Sequence, residues 1–109
     1  MAIDVESAVP YLSNRFGGLS GEALHPISIR CVYEIAEQTK IPIIGCGGVD
    51  SWHDAVEFIL AGASAIQIGT VLAYKPPTVI EEILNGIRGY MARKGYKRVS
   101  DYVGFAHSR

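Results

Sequence analysis

Two short apolar runs, Ile41-Pro42-Ile43-Ile44-Gly45 and Ser64-Ala65-Ile66-Gln67-Ile68, flank an amphipathic stretch, and each leads into glycine. Ile-rich runs of this length bounded by Gly predict strands buried on both faces of a parallel sheet, here over 41–45 and 64–68. Pro42 is tolerable near the beginning of a strand. Between the runs, Ser51 is a natural N-cap, and Asp54 three residues later resembles a capping box. Ala55, Phe58 and Ile59 mark the buried face of the helix that follows, which ends at Gly62. Strand, helix and parallel strand make a βαβ unit whose two strands end on the same side. Gly47-Gly48 and Gly69-Thr70 are then expected to lie next to each other.

Helical spacing also appears on either side of this unit. Upstream, Pro26 suits a first helical turn, and Ile27, Cys31, Ile35 together with Ile29, Val32, Ala36 predict a helix over about 26–39. Downstream, Val71-Leu72-Ala73 predicts a short helical turn and Lys75-Pro76-Pro77 breaks the chain. A long helix then runs from about Thr78 to Lys94, with Val79, Ile80, Ile83, Leu84, Ile87, Tyr90 and Met91 on its apolar face. Glu81 and Glu82 at its start and Arg93 and Lys94 at its end complement the helix dipole, and Gly95 closes it. The tail predicts a short final helix packed by Tyr102, Val103 and Phe105. Residues 1–16 show no settled period and read as an irregular or extended lead-in. The predicted order is loop, α, β, α, β, α. Two parallel strands alone leave both edges and much apolar surface open, so the pattern reads as a piece of something larger.

The candidate chemistry lies at the strand ends. Backbone N–H groups at Gly47-Gly48 and Gly69-Thr70, with no bulky side chain in the way, can surround one phosphate. A short helix after Gly69-Thr70 would add its positive N-terminal pole. In barrels of eight βα units the loops after strands seven and eight commonly do this work, so the central reading is a phosphate site at the end of a barrel-type βαβ unit. The segment Gly17-Gly18-Leu19-Ser20-Gly21 permits close approach by a ligand, or serves as a plain connection. Cys31 and Cys46 are expected to be small buried packing residues, with a ligand contact the alternative for Cys46. His25 is expected at the surface or in a capping role. His53 is expected to face solvent, without metal partners.

Composition narrows the classes. The 109 residues make one domain at most, less than half of the roughly 250 residues of an eight-fold barrel. An apolar fraction of 49% excludes disorder as the default. A net charge of −1 gives no electrostatic case for nucleic acid or an anionic membrane. The two cysteines form neither a disulfide framework nor a metal cluster at their spacing. No apolar stretch approaches the roughly 18 residues of a membrane span, and no signal peptide opens the chain, so the cytoplasm is the expected location.

Four ordered motifs together resemble the class 1 dihydroorotate dehydrogenases: Met1-Ala2-Ile3-Asp4, Gly17-Gly18-Leu19-Ser20-Gly21 with Pro26 after it, Ile41-Pro42-Ile43-Ile44-Gly45-Cys46-Gly47-Gly48-Val49, and Ala61 through Thr70. The type that passes electrons to NAD through a separate iron–sulfur, FAD-containing subunit is the most similar, and the tail from Gly95 to His107 also resembles it. The resemblance covers essentially the whole chain and about the last third of that family's barrel. It implies the C-terminal portion of an FMN-containing TIM (β/α)8 barrel that oxidises dihydroorotate to orotate in pyrimidine biosynthesis. Residue by residue, it implies that Gly47 and Gly48 belong to the FMN-phosphate loop after strand seven. Gly69 and Thr70 match the partner loop after strand eight, with amides and the Thr hydroxyl on phosphate oxygens. Gly21 matches a glycine whose backbone lies against the flavin.

The family's catalytic cysteine, its orotate-holding asparagines and its flavin-side lysine have no counterpart in this sequence, and Cys46 does not match that cysteine. The chain alone is therefore expected to be inactive, and to require the rest of the barrel or to self-associate. The barrel of the dihydropyrimidine dehydrogenases has similar glycine loops and is the alternative enzyme. A non-catalytic, self-associating phosphate-binding half-barrel is the alternative from another class.

Overall fold

The computed structural model describes residues 1–108. The chain runs β1 (Ile3–Asp4), β2 (Val9–Pro10), α1 (His25–Gln38), β3 (Ile43–Cys46), α2 (Trp52–Ala61), β4 (Ala63–Gln67) and α3 (Val79–Lys94). Single 3₁₀ turns occupy Glu22–Leu24, Thr70–Ala73, Val99–Asp101 and Phe105–Ser108. The expected α, β, α, β, α succession is present, displaced by a residue or two at its boundaries. The lead-in is more ordered than expected: β1 and β2 pair antiparallel, Ile3 opposite Pro10 and Asp4 opposite Val9. Asp4 Oδ1 accepts the N–H groups of Glu6 and Ser7 at 2.9 and 3.1 Å, which builds the turn between them. Strands of two residues are too short to show a period of two, so the sequence pattern does not reveal them.

β3 and β4 form a separate, parallel two-stranded sheet, with Ile44 opposite Ala65, Gly45 opposite Ile66 and Cys46 opposite Gln67. One face of this sheet is covered by helices. Gly45 and Ala63 are buried there, and Ile43 and Ile66 pack against the core. The opposite face is open, and burial on both faces is not found among the described residues: Ile44 is 63% exposed, and Cys46, Ala65 and Gln67 are exposed beside it. Cys46 is therefore not the buried packing residue expected of it, because its position in the strand alternation directs it to the uncovered face.

α2 is the hub of the packing. Its capping box forms, with Asp54 Oδ2 accepting the Ser51 N–H at 2.7 Å. Gly62 ends it at φ +122, where a Cβ would lie 2.4 Å from Ala36 of α1. Phe58 is wholly buried and occupies the space that a side chain at Gly45 would need, 2.6 Å from its ring. On its other side α2 meets α3, and Val56 and Ile59 join the fully buried Tyr102 in a second apolar cluster. The tail folds back to this hub through Gly104 N–H to Ile59 O at 2.9 Å and His107 Nε2 to Ala61 O at 2.9 Å.

α1 is apolar on two stripes, and only one of them is packed. Val32 is buried and Ile29 and Ala36 partly so, whereas Ile27, Cys31 and Ile35 lie exposed along the other stripe. Cys31 is thus on the uncovered side, again contrary to expectation. The periodicity predicts the helix but cannot say which of two apolar stripes finds a partner. α3 behaves similarly: Val79 and Ile83 are buried, while Ile80 and Leu84 remain exposed.

Gly86 of α3 makes room for Trp52, since a Cβ there would lie 2.1 Å from Trp52 Cγ. Helix propensity alone favours Ala over Gly by about 1 kcal/mol, but overpacking of this severity costs about 1–3 kcal/mol. Gly86→Ala is therefore expected to lower the thermal unfolding midpoint by a few degrees. A midpoint that rises would show that Trp52 repacks freely.

Candidate functional site

All five residues singled out at the strand ends and in the glycine loop line one cleft. Gly21, Gly47, Gly48, Gly69 and Thr70 share it with Ser20, Leu24, Cys46, Val49, Gln67, Val71 and Tyr74. Its volume of about 130 Å³ is well below the roughly 300–1,000 Å³ of pockets for drug-sized ligands, so it suits one group of a ligand rather than a whole nucleotide. Its lining combines glycines, apolar residues, the hydroxyl residues Ser20, Thr70 and Tyr74, Cys46 and Gln67, with no Lys or Arg. An anion here would have to be held by N–H and O–H donors.

Each glycine enters the cleft for a different local reason. Gly48 adopts φ +68, and a Cβ on it would lie 2.7 Å from the Gly21 carbonyl oxygen and 2.8 Å from His25 Cβ. Gly47 adopts φ +130 and leaves no room beside Ser28, whose Oγ would be 2.1 Å from an added Cβ. These two are glycines because the loop presses on the start of α1. Gly69 is different: a Cβ there would meet nothing within 4 Å. No packing contact therefore requires glycine at that position. Thr70 opens the 3₁₀ turn Thr70–Ala73. That is the short helical turn expected there, and as a single turn it makes only a small dipole contribution.

The two loops are tied together by side chains that the sequence pattern does not single out. Asp50, two residues beyond Gly48, accepts the Tyr74 hydroxyl at 2.5 Å through Oδ1 and the Lys75 ammonium at 2.5 Å through Oδ2. Lys75, and then Tyr74, hold the Asp50 carboxyl below the usual carboxylate range, and the bond to Asp50 pushes the Tyr74 phenol up to about 12. The lowered Asp50 value means this tie is complete above the ordinary Asp range, near 3.8, and is lost as pH falls below it. Lys75 is thus more than a break before two prolines. It pairs with the Asp50 carboxylate, and Glu22, next to Gly21, is a second carboxylate near the same group.

His25 is also misread by the local sequence. It is buried rather than at the surface, with Nδ1 3.2 Å from the Gly47 carbonyl oxygen and Nε2 2.7 Å from Glu57 Oε2. His53 is exposed and stacks on Trp52 at a centroid distance of 3.6 Å. Among the described residues, no helix is long and apolar enough to cross a membrane.

Comparison with known proteins places this chain in a family. The family model for dihydroorotate dehydrogenase matches residues 1–91. This chain belongs to the dihydroorotate dehydrogenase family. It is 50% identical to the catalytic subunit of dihydroorotate dehydrogenase B (NAD(+)) of Pyrococcus furiosus over 106 residues, covering 97% of this chain and 35% of that protein. The Methanosarcina mazei protein of the same name is 49% identical over 107 residues, covering 98% of this chain and 34% of that protein. Among solved structures, ligand-free DHODH of Eimeria tenella superposes with a TM-score of 0.82 at 31% identity, covering 95% of this chain and 29% of that one. The chain thus spans about a third of the length of the curated family members it matches.

Proposed function

We propose that this chain supplies the flavin-phosphate end of an FMN-dependent dihydroorotate dehydrogenase, as the C-terminal portion of its TIM (β/α)8 barrel. The observation that carries the reading is the convergence of Gly21, Gly47, Gly48, Gly69 and Thr70 on one small cleft, in a chain of this family. The residues fit a phosphate. Positive-φ glycines bring backbone close, Thr70 offers a hydroxyl, and the Asp50 carboxylate that joins the two loops is paired with Lys75. FMN, when bound, supplies the hydride acceptor for oxidation of dihydroorotate to orotate in pyrimidine biosynthesis. The residues of this chain would hold its phosphate through the amides of Gly47, Gly48, Gly69 and Thr70, and would place backbone at Gly21 against the flavin. The proton-abstracting base and the groups that hold the substrate would come from the rest of the barrel. The relatives named as catalytic subunits support a further partner, an iron–sulfur and FAD electron-transfer subunit. The cytoplasm is the location that fits this assignment.

A second reading is a non-catalytic, self-associating phosphate-binding half-barrel, which the open sheet face at Ile44 favours. Membership in the dihydroorotate dehydrogenase family favours the first reading over a dihydropyrimidine dehydrogenase barrel. The test is turnover. The purified chain with added FMN is expected to show no oxidation of dihydroorotate, and the chain mixed with the complementary barrel segment is expected to bind FMN and turn over. Turnover by the chain alone, or no flavin bound by the mixture, would overturn the assignment.

A further inference from the structure

We propose that Lys75 is a positioning residue that fixes the spacing of the cleft's backbone donors by locking the loop after β3 to the turn after β4; this rests on the phosphate reading given above. The cleft has no Lys or Arg in its lining, so its grip depends on where N–H and O–H donors stand. Those donors come from separate segments, Gly47 and Gly48 after β3 and Gly69 and Thr70 after β4. The strand pairing does not reach them, because it ends with Cys46 opposite Gln67. Their spacing is set by contacts beyond the strands.

Lys75 makes those contacts with both its side chain and its main chain. Its ammonium donates to Asp50 Oδ2 at 2.5 Å and to the Asp50 carbonyl oxygen at 3.3 Å. The Asp50 N–H is held by Asp54 Oδ2 of α2 at 3.0 Å. The main chain two residues beyond Gly48 is thus held from both sides. Across the cleft, the N–H groups of Lys75 and Tyr74 donate to the carbonyl oxygen of Val71 at 2.8 and 3.2 Å, and Val71 is buried next to Thr70. The Tyr74 hydroxyl adds a bond to Asp50 Oδ1. A continuous line of bonds therefore runs from Thr70-Val71 through Lys75 and Asp50 to the glycine loop. This is no loose surface pair, since the Asp50 side chain is 14% exposed and that of Lys75 39%. Donors held in place before a ligand arrives bind it more tightly, because less ordering remains to be done.

Lys75 also offsets the negative charge of Asp50 and of Glu22 near it, so its removal alone does not tell spacing from charge. Tyr74→Phe does, because it deletes one bond of the lock and leaves every charge in place. Riboflavin, which is FMN without its phosphate, separates grip on phosphate from general stability. In the assembly of this chain with the rest of its barrel, Lys75→Met is expected to lower FMN affinity about tenfold, the scale of one charge-assisted hydrogen bond. Tyr74→Phe is expected to lower it about threefold, the scale of one neutral bond. Riboflavin affinity should stay at the parent value in both. Without ligand, amide exchange should quicken in both variants at Asp50 and at Leu72, whose N–H groups are bonded within the two locked segments. Equal losses for the two flavins, parent FMN affinity in Tyr74→Phe, or unchanged exchange at these amides would each overturn the proposal. Where the parent itself binds FMN no more tightly than riboflavin, the phosphate reading fails and the exchange comparison alone decides whether the lock exists.

Discussion

Gly69→Val is expected to remove FMN from the assembled barrel while leaving its thermal unfolding midpoint almost unchanged. A Cβ at Gly69 meets nothing within 4 Å, and Gly69 lines the cleft, so a larger side chain there is expected to compete with a phosphate rather than with the protein's own packing. Losing two close hydrogen bonds to a phosphate, each worth about 1.5–3 kcal/mol, weakens affinity by at least about 100-fold. Gly48→Val is expected to lose flavin for a second reason as well. Its φ of +68 and the 2.7 Å approach to the Gly21 carbonyl make a β-branched residue incompatible with the loop itself, so stability falls too. Glu82→Ala, on the exposed face of α3, is the control and should change neither property. The three variants thus separate ligand exclusion from loop disruption. Equal flavin content in Gly69→Val, Glu82→Ala and the parent would remove the case for a phosphate at this cleft.

The chain by itself is expected not to behave as a compact monomer. Its radius of gyration is 16.9 Å, against about 13 Å for a compact domain of this length. Ile41 is 73% exposed and Ile44 63%, on or beside a two-stranded sheet with open edges. Ile27 and Ile35, at 55% and 50%, form an uncovered stripe on α1. Each such side chain contributes roughly 1.5–3 kcal/mol when fully buried, and unpaired strand edges are a template for another chain. Sedimentation at micromolar concentration should show species larger than the monomer. Adding the complementary barrel segment should convert them to a one-to-one complex. A cooperatively melting monomer that ignores that segment would show that three helices suffice to cover this sheet.

What the sequence disclosed, and what it hid, divides by the range of the interaction. The two strands, the helix between them and the cap at Ser51 follow from local patterns, and each is found within a residue or two of where its pattern puts it. His25 does not, because the groups that define it, Gly47 and Glu57, are 22 and 32 residues away and nothing near His25 announces them. Asp50, Tyr74 and Lys75 are hidden for the same reason, their tie spanning 24 and 25 residues. Cys31 and Cys46 failed differently. Both occupy apolar patterns of the right period, but those patterns face outward in this chain, and periodicity carries no information about whether a partner surface is present. The β1–β2 hairpin was invisible because two-residue strands have no period to read.

The central claim is that one phosphate sits between the loop after β3 and the turn after β4. Amide NMR on the assembled barrel, with only this segment isotopically labelled, tests it most directly. On addition of FMN, the amide resonances of Gly48, Gly69 and Thr70 should move together and saturate with the quenching of flavin fluorescence. Flavin fluorescence that is quenched while those three amides stay still would place the phosphate elsewhere and contradict the account.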